Sequence, residues 1–303
     1  MTRPEVRIYE VGPRDGLQAE ATIVPTEAKL RFISLLADAG LREVEATSFV
    51  RPDAIPQLAD ADQLMEGLER RPGVRYPVLV PNQRGMERAV AAGADAICLF
   101  TAASEAYAMA NIRMTIDESL AAFAPVAAVA RERGMWVRAY VSVAFGCPYS
   151  GEVDELAVVS LSERLLQLGV DELSISDTVG VATPLDVRRV VGALSAAGIG
   201  ADVVALHLHD TRGTALANVV AGMEVGIRAF DSSTGGTGGS PYAPGSAGNL
   251  ATEDLVYLLD REGVRTEVDL DGVLAAARFI AAQLGREVTS RVGRAGGWPG
   301  PAA

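Results

Sequence analysis

The sequence predicts an α/β fold, a (β/α)₈ TIM barrel with a short C-terminal helical extension. Three observations carry this expectation. Eight short β-rich runs alternate with longer helical ones, the order of a barrel with a parallel sheet. The helical runs repeat apolar residues at i, i+3 and i+4, the period of a helix packed on one face. The joints Ala39-Gly40-Leu41, Ala92-Gly93-Ala94, Leu168-Gly169-Val170 and Val225-Gly226-Ile227 each set a glycine shortly before a strand. Glycine stops a helix there because it accepts the left-handed backbone. The alternative is an open doubly wound sheet. Its usual Gly-x-Gly-x-x-Gly turn is not matched by Gly12-Pro13-Arg14-Asp15-Gly16.

In chain order, the first strand is expected at 6–11 and the first helix at 26–39. Strands follow at 43–47, 75–80 and 96–100, with a helix at 84–92. Helix 116–133 leads to strand 136–143, helix 154–168 to strand 172–177, and helix 184–197 to strand 203–209. Helix 214–225 and strand 229–233 close the set. Residues 1–285 read as one catalytic domain and 286–303 as a flexible Gly/Pro-rich tail.

Composition then excludes whole classes of function. The 303 residues carry 27 Lys and Arg against 39 Asp and Glu, a net charge of −12. A phosphate backbone rewards basic surfaces, so nucleic acid is not an expected partner. No apolar run approaches the ~18 residues of a membrane span, and the N-terminus has no signal-peptide core. Two cysteines, Cys98 and Cys147, make no disulfide framework, so a cytoplasmic location is expected. The single lysine, Lys29, opens an amphipathic helix and is expected to be solvated. Imine chemistry needs an internal lysine. Carbon–carbon chemistry in this chain therefore points to a metal.

A barrel places its chemistry at the C-terminal ends of its strands. Both histidines of the chain fall in one such end, Val203-Val204-Ala205-Leu206-His207-Leu208-His209. Alternation puts His207 and His209 on the inner face and the leucines on the outer one. Two imidazoles at i, i+2 can share a metal; satisfied core histidines are the bland alternative. The same mouth is expected to receive Arg14 and Asp15 after the first strand, Glu45, Asp177 and Asn249. Asp15 could equally serve a Pro-Arg-Asp-Gly turn, and Asn249 could cap a helix. Glu45 and Asp177 interrupt apolar strands, where an unpaired carboxylate is costly. Two imidazoles, a carboxylate and an amide oxygen suit Mg²⁺, Mn²⁺, Co²⁺ or Zn²⁺ alike. The glycine-rich run 234–248, with Gly238, Gly239 and Ser240, reads as a lid because it follows the last strand on this face.

Taken together, these motifs resemble the hydroxymethylglutaryl-CoA lyases of the DRE-TIM metallolyase superfamily. The likeness rests on Glu10-Val11-Gly12-Pro13-Arg14-Asp15-Gly16-Leu17-Gln18, Glu45-Ala46-Thr47-Ser48-Phe49-Val50 and Pro81-Asn82. It continues through Ala103-Ser104-Glu105, Phe145-Gly146-Cys147-Pro148-Tyr149, Asp177-Thr178-Val179-Gly180, His207-Leu208-His209-Asp210-Thr211 and Gly245–Asp254. The resemblance implies a divalent metal, Mg²⁺ or Mn²⁺, on Asp15, His207, His209 and Asn249. It implies cleavage of 3-hydroxy-3-methylglutaryl-CoA to acetyl-CoA and acetoacetate, with Arg14 stabilising the enolate charge. Glu45, Asp177 and Ser240 are the other expected catalytic residues, and Gln18, Asn82, Ser142 and Thr178 the expected substrate contacts. A homo-oligomer acting on an acyl-CoA is implied as well.

Two positions depart from the family pattern. Its glycine-rich loop reads Gly-Gly-Cys-Pro-Tyr, with a catalytic cysteine, where this chain has Gly238-Gly239-Ser240-Pro241-Tyr242. A thiol exchanges protons near neutral pH far better than an unassisted hydroxyl. Ser240 could hold a water that moves the proton. Glu45, Asp177, His207 or Cys147 could serve instead, or the substrate could differ. Arg212 stands where a tyrosine is common and reads as a surface residue. The related Claisen-condensing synthases resemble His-x-His-Asn-Asp and carry long C-terminal extensions; His-Leu-His-Asp-Thr here favours the lyase.

Overall fold

The computed structural model describes residues 6–239 and 248–298. Its nine short parallel strands curl into the expected barrel. They are β1 Arg7–Glu10, β2 Glu43–Val44, β3 Thr47–Ser48, β4 Val78–Leu79, β5 Ala96–Ala102, β6 Trp136–Ser142, β7 Glu172–Asp177, β8 Val204–Leu208 and β9 Ala229–Ser232. The order β2-β1-β9-β8-β7-β6-β5-β4-β3 closes because β2 and β3 are halves of one stave. At the break, the Glu45 amide donates to Glu10 on one side and the Ala46 amide to Pro77 on the other. Nine strands thus make eight staves. No described helix is long and apolar enough to cross a membrane.

The eleven described α-helices are α1 Thr26–Asp38, α2 Ala61–Gly67, α3 Gln83–Ala91, α4 Glu105–Ile112, α5 Ile116–Glu132, α6 Glu155–Gln167, α7 Pro184–Ala196, α8 Ala215–Glu224, α9 Thr252–Arg261, α10 Leu270–Leu284 and α11 Arg291–Ala295. The joint glycines Gly40, Gly93, Gly169 and Gly226 all have positive φ. At Gly40 (φ +96°) a Cβ would also lie 2.3 Å from the Glu267 carbonyl oxygen, so both conformation and space demand glycine. Helix α4 was not expected between strand and helix. It forms because Ser104 caps it, accepting the Tyr107 amide at 3.1 Å.

Val204, Leu206 and Leu208 pack outward into the main core, as alternation requires. The barrel interior has a smaller cluster, Tyr9, Val11, Leu79, Cys98 and Tyr140. Below it, toward the N-terminal face, lie charges in pairs. Arg138 meets Asp231 and, at 2.9 Å, Glu172; Arg7 meets Glu43 and Glu172; Arg75 meets Glu43.

Two expectations are corrected. Lys29 is only 1% exposed. Its ammonium lies 2.6 Å from Asp60 and also bonds the Gln57 carbonyl. A residue 31 positions away supplies the partner, which no local pattern announces. The stretch from 286 is also not a bare tail: within it α11 packs on α9 and α10. The Asp254 carboxylate accepts the Arg291 and Val292 amides at 3.2 and 2.7 Å, satisfying the helix start.

Candidate metal and substrate site

The chain after β1 makes one tight π-helical turn, Gly12–Gly16, which aims Arg14 into the mouth and leaves Asp15 at its rim. A Cβ on Gly16 would lie 2.3 Å from Thr237 Oγ1, so this turn touches the root of the glycine-rich run only because residue 16 has no side chain. Arg14 is buried and locked. Its Nε donates to Glu45 Oε1 at 2.6 Å and Nη2 to Oε2 at 3.3 Å. Its Nη1 reaches Asp15 at 2.6 Å. The Tyr140 hydroxyl donates to the same Glu45 carboxylate.

Asp15, His207 and His209 each offer a ligand atom within 4.8 Å of the others. The two histidine Nε2 atoms are 3.2 Å apart. His209 and Asn249 face each other in an antiparallel bridge. Asn249 Nδ2 donates to Asp15 at 2.8 Å, while its buried Oδ1 has no partner. Buried acceptors are rarely left orphaned. A free amide oxygen beside two facing imidazole nitrogens and a carboxylate is the donor set of a hard or borderline divalent cation. The residues fit such an ion.

Burial opposes the charge on Asp15, but Arg14, the two histidines and the Asn249 amide outweigh it and hold the carboxyl at about 2. Burial, reinforced by His207, drops His209 to about 3, so its imidazole is neutral with a lone pair to give. His207 Nδ1 lies 3.1 Å from Asp231, which leaves Nε2 facing the cluster.

Over this cluster opens a cavity of about 810 Å³, lined by Arg14, Asp15, His207 and His209. All four expected substrate contacts, Gln18, Asn82, Ser142 and Thr178, line it, as does Gly239. Asn82 also caps α3, accepting the Gly85 amide at 3.0 Å, and Thr178 accepts the Val143 amide at 3.0 Å. Val50, Ile55, Leu79, Phe100 and Met114 give the cavity an apolar wall.

Asp177 sits differently from expectation. The inward residues of β7 are Ser174, which bonds Asp231, and Ser176, which lines the cavity. Asp177 alternates to the other side, where its carboxylate accepts the Val181 and Ala182 amides at 2.9 and 3.0 Å. Burial still lifts it to about 6. Asn249 is not the cap of α9; that position is Ala251. Arg212 lies at the surface as expected, with Nη1 on the Val179 and Gly180 carbonyls at 2.9 Å. Ser240 lies outside the described residues.

Sequence reasoning missed Asp231, Arg138 and Tyr140. Asp231 takes His207, Arg138 and Ser174 at once. The available signal was a carboxylate inside an expected strand, Ala229-Phe230-Asp231-Ser232-Ser233.

With this geometry in hand, comparison with known proteins is decisive: the HMGL-like family matches residues 5–280. The chain belongs to the HMGL-like family. It is 46% identical over 291 residues to the mitochondrial hydroxymethylglutaryl-CoA lyase of Bos taurus, covering 96% of this chain and 89% of that protein. Among solved structures of the family, the Bacillus subtilis HMG-CoA lyase superposes with a TM-score of 0.95 at 46% identity, over 97% of this chain and 99% of that one. An HMG-CoA lyase from Acinetobacter baumannii, solved with coenzyme A and 3-methylmalate, gives 0.92 at 40% identity over 98% of both chains.

Proposed function

We propose that the chain is a divalent-metal-dependent carbon–carbon lyase that cleaves 3-hydroxy-3-methylglutaryl-CoA to acetyl-CoA and acetoacetate. The observation that carries this is the Asp15, His207, His209 cluster with the free Asn249 Oδ1, set at the base of a half-apolar cavity. Asp15, His207, His209 and Asn249 would hold a divalent ion, Mg²⁺ or Mn²⁺, and the chemistry it would supply there is Lewis acidity toward the substrate's oxygens. A small anion and an acyl-CoA tail have opposite needs, and the cavity offers charge at its base and apolar wall above.

The chain's own residues then do the following. The proton relay takes the hydroxyl proton, and C3 becomes the ketone of acetoacetate as the C2–C3 bond breaks. The bond's electron pair passes to the thioester as an enolate, and the relay returns a proton to the enolate carbon to give acetyl-CoA. Arg14 faces that charge, held rigid by Glu45 so that no reorganisation is needed as charge develops. Tyr140 and Asp231 keep Glu45 and His207 in place. Asp177 acts through the loop 178–182 that it folds. Ser240, at the family's loop-cysteine position in the sequence, is assigned the proton relay, with water as its partner. The free thiols Cys98 and Cys147 support a reducing, cytoplasmic setting. A homo-oligomer completes the proposal.

The test is a coupled assay of acetyl-CoA release from 3-hydroxy-3-methylglutaryl-CoA and longer 3-alkyl analogues, with Mg²⁺ or Mn²⁺ and after chelation. Equimolar acetyl-CoA and 3-oxo acid, lost on chelation, is the expected result; silence on every substrate overturns the proposal. Ser240→Cys is expected to raise turnover by about tenfold or more, within the reach of a well-placed general acid or base. Unchanged turnover assigns the proton to another group.

A further inference from the structure

Residues 286–292, expected to be a tail, touch the catalytic face at three places. Arg286 Nη2 meets Glu20 at 2.6 Å, and the same Glu20 oxygen accepts the Gly238 amide at 3.2 Å. Thr289 Oγ1 donates to the Gly235 carbonyl at 3.3 Å, while the Ser290 hydroxyl bonds Glu253, which also accepts the Gly235 amide at 3.0 Å. Arg291 Nη1 pairs with Asp210.

The third contact reaches furthest into the site. Asp210 follows His209 directly. Its amide donates to the Gly248 carbonyl at 2.8 Å, the residue before Asn249, and its carboxylate accepts the Ala215 amide that starts α8. The Leu250 amide donates to Leu208. The segments carrying His209 and Asn249 are therefore zipped together by backbone bonds on either side, with Asp210 at the open end of the zip. Asp210 is 7% exposed, and Arg291 is the cation that pairs with its carboxylate. Two amides and a carboxylate at Asp254 fix where Arg291 starts its helix, so the guanidinium is delivered from an anchored point.

We propose that Arg291 is a positioning residue for the ligand pair His209 and Asn249, acting through Asp210. The role rests on the metal-binding reading of this site. Without Arg291, the Asp210 carboxylate loses its counter-charge, the end of the zip is free to shift, and the two ligands no longer meet the ion at a fixed separation. The chain beyond the barrel thereby becomes part of the metal site without touching it.

The test is Mn²⁺ binding to the metal-free full-length protein, followed by EPR, for the parent, Arg291→Ala, Arg291→Lys and His209→Ala. Melting of each metal-free protein is recorded alongside. His209→Ala is expected to lose binding. Arg291→Ala is expected to weaken it about tenfold, the low end of the roughly 10–100-fold effect of outer partners of metal ligands. Arg291→Lys should recover most of that loss, because an ammonium also neutralises Asp210. Metal-free melting of both Arg291 variants should stay within about 3 °C of the parent, the scale of one partly exposed ion pair. Unchanged affinity in Arg291→Ala beside lost affinity in His209→Ala overturns the positioning role and leaves the metal reading standing. A collapse in melting temperature that accounts for the lost binding overturns it as a plain structural effect. A parent chain that binds no Mn²⁺ overturns the metal reading and this role with it.

Discussion

The two ends of the barrel both bury charge, and they treat it in opposite ways. At the N-terminal end, Arg75, Glu43, Arg7, Glu172, Arg138 and Asp231 follow one another in a chain of pairs that alternates in sign, and every one has an opposite partner. At the C-terminal end, two histidine nitrogens face each other, and Asn249 Oδ1, Gln18 Oε1 and His209 Nδ1 are buried without partners. A closed network of pairs belongs to the fold, because each desolvated charge is answered inside the protein. An incomplete set with converging lone pairs is a site, because something from outside must complete it. Asp231 joins the two ends: one oxygen faces Arg138, and the same carboxylate fixes His207.

That contrast can be broken, with effects that fall in order. The largest belongs to His207→Ala or His209→Ala, which should leave no bound metal by elemental analysis and no turnover above background, with the fold intact by circular dichroism. Retained metal would place the site elsewhere. Next is Arg138→Met at the paired end. Removing Arg138 takes the cation from buried Asp231 and leaves Glu172 with Arg7 alone, and a loss of about 3–5 kcal/mol is expected from chemical denaturation. A loss below about 1 kcal/mol would show the pairs to be dispensable to the fold.

Glu253 gives a smaller, pH-dependent effect. Burial lifts it to about 7 against the opposing Ser290 and Gly235 bonds, from an ordinary value of 4.5. Between those pH values the native chain keeps a proton that the unfolded chain has released. Its contribution to stability is therefore full below about pH 4.5, falls as pH rises toward 7, and is flat above. Glu253→Gln keeps a neutral side chain at every pH and should remove that part of the slope, read from denaturation at pH 4.5, 6 and 8. An unaltered slope would mean that another group titrates there. The smallest effect is at the surface. Arg188 and Glu224 pair at 2.7 Å with both side chains roughly half exposed. Arg188→Ala should cost less than about 0.5 kcal/mol.

Much of this was legible in the sequence, and for physical reasons. Glycine is demanded at Gly40 by its own φ and by a neighbouring carbonyl, so it marks the joint wherever the helix ends. Histidine alternation along β8 is a property of any strand, so the inward direction of His207 followed without knowing its neighbours. Asp177 shows where that logic fails: it ends its strand one residue out of phase with the inward serines and turns to loop amides instead. The burial of Lys29 depends on Asp60, and the docking of α11 on Asp254 and Asp210, partners that periodicity does not encode.

By itself the sequence determined the barrel, the inward histidine pair, the carboxylate at the turn after β1 and the family pattern around them. These rest on local rules: period, alternation and backbone conformation. Only the tertiary structure decided which charges are answered and which are left open. That question depends on residues brought together from opposite sides of a closed sheet, as when Asp15 and Asn249, 234 positions apart, meet at 2.8 Å and leave one oxygen free.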